Sequence, residues 1–88
     1  MRPKKEGVEY LTDAALVILM MAIPLVIEDL VVEGNTVYFG FKSEKIEPYL
    51  WKFEHNEPIV IEDGKRYILA YTMFKTIVRR VMENGRYE

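Results

Sequence analysis

The sequence predicts an α+β domain with the element order α-β-β-α-β-β-α, antiparallel hairpins packed on helices and a buried first helix. Three features point to it. The uncharged run from Ala14 to Ile27, AALVILMMAIPLVI, is cut by Pro24, which separates helical from extended chain. Two turn pairs, Gly34-Asn35 and Asp63-Gly64, each stand between segments rich in Val, Ile and aromatic residues. Toward the C-terminal end Phe74, Ile77, Val78 and Val81 recur at i, i+3, i+4, i+7.

In chain order, Thr12 and Asp13 are good N-cap residues. Val8, Leu11, Ala15, Ile18, Leu19 and Ala22 share one face at helical spacing, so the first helix is expected from near Glu6 to Ile23, with Gly7 weakening its first turn. Beyond Pro24, Leu25–Glu33 and Thr36–Lys42 form a hairpin in which Val32 faces Val37 and Leu30 faces Phe39. Pro48 suits a first helical position, and Tyr49, Leu50 and Phe53 follow as a short apolar stripe ending near Asn56. Asp63-Gly64 then joins Ile59–Glu62 to Lys65–Leu69 as a second hairpin, with Glu62 facing Lys65. A last helix starts at Thr72 and stops at Gly85. Pro24–Asp29 (PLVIED) is echoed by Pro58–Asp63 (PIVIED), which reads either as a duplicated β-β-α unit or as coincidence between strand-favouring segments.

Eighty-eight residues make a single domain over 1–88, and a chain of that size buries only roughly 60 to 65% of its unfolded surface. Half of the residues are hydrophobic, more than a core this small easily covers. From Ala14 onward the first helix is apolar on every face, and a helix apolar all round is buried all round. The surplus is therefore assigned to a homodimer with Val17, Met20 and Met21 in the seam. Met20 and Met21 could also line an adaptable groove, but an unbroken apolar run favours core or seam.

Cysteine is absent, which excludes disulfides and thiolate metal sites. Eleven Glu and seven Lys against one Ser, three Asn and no Gln is the balance of proteins from hot habitats. The apolar run is too short to cross a bilayer as a helix, which needs roughly 20 residues, and Glu6, Glu9 and Asp13 interrupt its approach. A cytoplasmic chain outside the membrane is expected.

Side chains with possible chemistry are few. His55 is the only histidine and lies in Glu54-His-Asn-Glu57, without a second His or Cys to complete a zinc set. Glu28 is the one carboxylate on the apolar side of its hairpin, so it could be desolvated, or else paired with Lys42 at a strand end. Glu62-Asp63 repeats the acidic pair of Glu28-Asp29. Lys65, Arg66, Lys75, Arg79, Arg80 and Arg86, with Tyr67, Tyr71 and Trp51 near them, have the composition of a nucleic-acid surface, although cations also favour a helix C-terminus. A net charge of -2 gives no overall attraction to nucleic acid. These features imply a non-enzymatic interaction or regulatory module acting as a homodimer, with no cofactor and no metal. A nucleic-acid binder using the basic C-terminal helix is the first alternative, and a small enzyme built on Glu28 or His55 the second.

Overall fold

The computed structural model describes residues 2–87, with side chains through Glu83. Among the described residues it is an α+β fold of three strands and three helices, in the order β1 (Val8–Leu11), α1 (Ala14–Ala22), β2 (Asp29–Glu33), β3 (Thr36–Lys42), α2 (Ser43–Glu54) and α3 (Gly64–Tyr87). The sheet is antiparallel with β3 in the centre, in the order β1-β3-β2. No helix among the described residues is long and apolar enough to cross a membrane.

The single helix expected from Glu6 is instead a strand followed by a shorter helix. Gly7 takes φ 77 in a turn closed by the Val8 N–H donating to the Lys5 carbonyl at 3.1 Å, which folds residues 2–5 back toward β1. Val8 to Leu11 then pairs with β3, Tyr10 opposite Gly40 and Leu11 opposite Phe39. The Asp13 carboxylate accepts the Leu16 N–H at 3.1 Å and starts α1 at Ala14. The cap residue marked the true helix start, while the apolar spacing upstream of it belonged to a strand.

The first hairpin has the expected register, with Val32 opposite Val37 and Leu30 opposite Phe39, and Gly34 supplies a positive φ of 60 at its turn. Partners across an antiparallel pair share a face, so Leu11, Leu30, Val32, Val37, Phe39 and Phe41 look one way. Val17 and Met20 of α1 and Ile46 of α2 close with Val37, Phe39 and Phe41 into the core, which Phe74, Ile77 and Val78 of α3 join. Phe39 and Phe74 stack with centroids 5.3 Å apart. A second cluster, Ile18, Ala22 and Ala70, holds α1 against α3. The first helix is thus buried on one side only, by its own sheet and α3 through Val17, Ile18, Met20 and Ala22, while Ala14 and Ala15 are exposed and Leu16, Leu19 and Met21 half-buried, so its core face needs no twin to cover it.

Helix α2 begins at Ser43 and not at Pro48, which lies exposed inside it. It ends where Asn56 takes φ 55, the Asn56 N–H donating to the Phe53 carbonyl and the Glu57 N–H to the Lys52 carbonyl at 2.8 Å, a Schellman closure.

The largest correction is at Asp63-Gly64. Among the described residues no second hairpin forms, the sheet has three strands in place of four, and the chain from Gly64 to Tyr87 is helix. The Asp63 carboxylate accepts the Lys65 N–H at 2.9 Å, so this residue caps a helix where a turn was expected. Tyr67, Ala70 and Phe74 extend the stripe of Ile77, Val78 and Val81 backward at the same period, and Ala70 is buried against α1. At the other end the helix continues through Gly85 to Tyr87. The two PxVIED segments therefore lead into different structures, one into β2 and one into α3.

Candidate interaction site

Helix α3 is the longest helix among the described residues. Its inner stripe, from Ala70 through Phe74, Ile77, Val78, Val81 and Met82, is engaged with α1 and the sheet. Its first turns carry apolar side chains on other faces as well. Tyr67, Ile68, Leu69, Tyr71 and Met73 are all exposed, Leu69 by 66% and Met73 by 57%. Scattered apolar residues are normal on a surface, but five within seven positions of one helix form a patch of the kind that marks an interface.

The patch has two flanks. On one, Leu69, Ala70 and Met73 line an apolar groove with Met21 and Pro24 of the α1 exit, and Arg66 stands at its edge. On the other, Tyr71, Thr72, Lys75, Thr76 and Arg79 form a shallow polar depression in which the Lys75 ammonium lies 5.4 Å from the centre of the Tyr71 ring. The Thr72 and Thr76 hydroxyls donate back to the carbonyls of Ile68 and Thr72, at 3.1 and 3.0 Å.

Of the three residues assigned to a dimer seam, Val17 and Met20 have no exposed surface, because the chain's own core encloses them. Met21 alone reaches the groove. The five basic residues are not brought together. Lys75 and Arg79 share the polar flank, Arg66 borders the apolar groove, Lys65 is exposed in the first turn, and Arg80 follows Met73 by seven residues on the groove side. The side chain of Arg86 lies outside the described residues.

The remaining candidates have structural partners. Glu28 is exposed and pairs with Lys42 at 3.7 Å. The His55 ring stacks on Trp51, centroids 4.1 Å apart, and its Nδ1–H donates at 2.8 Å to the Trp51 carbonyl, which also accepts the His55 backbone N–H at 3.0 Å. Among the described residues no cluster of His, Asp and Glu could hold a metal ion.

One polar pair escaped sequence reasoning. On the sheet face away from the helices, Tyr10 is only 4% exposed and its hydroxyl donates to the Asp29 carboxylate at 2.5 Å. The hydrogen bond and burial push the phenol above its ordinary value, while the same hydrogen bond, the Leu30 N–H and the charge of Lys5 hold the carboxyl below its own. General acid-base work near neutrality needs a group that titrates there, and both members move away from it. The pair is a latch across the sheet. Its sequence signal was a glycine inside a strand, Gly40, which marks a close approach.

Comparison with protein-family models, with curated proteins and with solved structures returned no match for this chain.

Proposed function

We propose that this protein is a non-enzymatic interaction module that acts as a homodimer. The apolar patch on the first turns of α3 supports this reading most directly, since it is surface that the chain leaves in water and a partner would remove from it. A second copy is the partner favoured here, because half of the residues are hydrophobic and the buried α1 does not use up that surplus. Light scattering at micromolar concentration tests the reading: a mass of twice the chain is expected, and a clean monomer would overturn it.

The polar flank of α3 supports a second reading, binding of single-stranded nucleic acid, in which Lys75 and Arg79 meet phosphates and Tyr71 offers a ring for stacking. That reading requires a labelled single strand to shift at low salt, and to lose the shift with rising salt and in a Lys75→Ala, Arg79→Ala variant. No shift at low salt removes it.

A further inference from the structure

We infer that two copies of this chain pair through the Leu69 and Met73 side of α3, antiparallel about a two-fold axis, so that Leu69 of one copy packs against the partner's Met73. The inference rests on the homodimer reading and names its surface, its orientation and its register.

The spacing along this side supports it first. Arg66, Leu69, Met73 and Arg80, with Thr76 at the margin shared with the polar flank, succeed one another at intervals of three and four residues, the spacing of a helix that packs lengthwise on another helix. Glu62 stands one step ahead of them, just before the helix begins.

Charge then selects the arrangement. In a parallel pair each position meets its own copy, which sets Arg66 on the partner's Arg66 and Arg80 on the partner's Arg80. An antiparallel pair in which Leu69 meets the partner's Met73 sets Arg66 on the partner's Thr76 and brings Arg80 to the partner's helix N-terminal end, which Glu62 precedes, so unlike charges come near each other at both ends and apolar residues meet in the middle. Sliding that pair by one heptad puts Leu69 against the partner's Arg80. One register therefore satisfies the whole side, which is what an isologous interface requires. Among the described residues neither Glu62 nor Arg80 has an ion pair within its own chain.

The apolar surface extends beyond the helix. The side continues from Leu69 and Met73 across the groove to Met21 and Pro24, and past Pro24 to Val26, which is 75% exposed. The stems of Arg66 and Arg80 stand at its rim.

The chain has no cysteine, so single cysteines report contacts without background. Chains carrying Leu69→Cys and Met73→Cys are mixed, oxidised and resolved by mass. A mixed disulfide in excess of either self-disulfide is expected. In parallel, light scattering follows Leu69→Asp, Arg80→Glu, and the charge exchange Glu62→Arg with Arg80→Glu. Leu69→Asp weakens association by about a hundredfold, Arg80→Glu sets like charges against each other and weakens it in a way that added salt relieves, and the exchange restores it. Glu62 and Arg80 are exposed, so the exchange variants keep their fold, which circular dichroism verifies. A wild-type dimer without the mixed disulfide, and indifferent to Leu69→Asp, overturns this interface and leaves the homodimer standing. A wild-type monomer overturns both.

Discussion

The hydroxyl of Tyr10 reaches the carboxylate of Asp29 at 2.5 Å by passing over Gly40, the residue of the central strand that lies opposite both of them. The contact ties the two outer strands together on the face that carries no helix. The Arg2 guanidinium adds a hydrogen bond to the Tyr10 carbonyl, holding the N-terminal arm to the same strand. Edge strands stitched across their centre resist slipping in register.

Stability should depend on pH at both extremes. The Asp29 carboxyl titrates below its ordinary 3.8 in the folded chain, so its contribution is complete above pH 3.8 and is lost as pH falls through the lower folded value. The Tyr10 phenol titrates above its ordinary 10.0, so its contribution is complete below pH 10.0 and is lost as pH rises through the higher folded value. Urea midpoints of wild type and Asp29→Asn should therefore converge below pH 3.8, and those of wild type and Tyr10→Phe should converge in strong alkali. A difference that stays constant from pH 2 to pH 5 contradicts the first half.

Gly40→Ala should destabilise the fold by about 1–3 kcal/mol, as overpacking does. A Cβ there would lie 2.8 Å from Val8 Cγ1, 2.9 Å from Tyr10 Cε1 and 3.2 Å from Asp29 Cβ, so the Tyr10 ring must lift off the strand. Denaturation measures the cost. The Tyr10 phenol, followed by ultraviolet titration, should move back toward an ordinary value.

Core and surface apolar residues should separate cleanly. Met20→Ala and Phe39→Ala open cavities among fully buried side chains and should cost about 2–5 kcal/mol. Neither should change the mass of the folded fraction in light scattering, because neither side chain reaches the surface. A change of assembly in Met20→Ala at unchanged stability would contradict the placement of Met20 inside the chain.

The end of α2 should tolerate Asn56→Gly and resist Asn56→Val. At φ 55 a glycine carries no Cβ penalty, whereas a β-branched residue should lose about 1–2 kcal/mol. Thermal melts of the two variants settle the order.

Short-range signals in the sequence were legible, and competition between them was not. The Gly34-Asn35 turn fixed its hairpin to the correct partners, and the helical period from Phe74 to Val81 matched an observed helix. At Val8 to Leu11 an apolar spacing compatible with helix was claimed by pairing with β3, a partner some thirty residues away that no local window contains. At Asp63-Gly64 two local readings were available, a turn and a helix cap. Ala70 decided for the helix, because a small residue there lets α3 approach Ile18 and Ala22 of α1. The same event moved the exposed apolar side chains from α1, where their all-round pattern drew notice, to α3, where Lys65 to Leu69 looked like an ordinary strand.

Trp51 is the only tryptophan of the chain, and it lies against His55 on the last turn of α2 with 54% of its surface in water. Its fluorescence will consequently report fraying of that turn. Loss of the core will register instead in the far-ultraviolet helix signal and in the near-ultraviolet tyrosine band, to which Tyr10, fixed on the opposite side of the sheet, contributes.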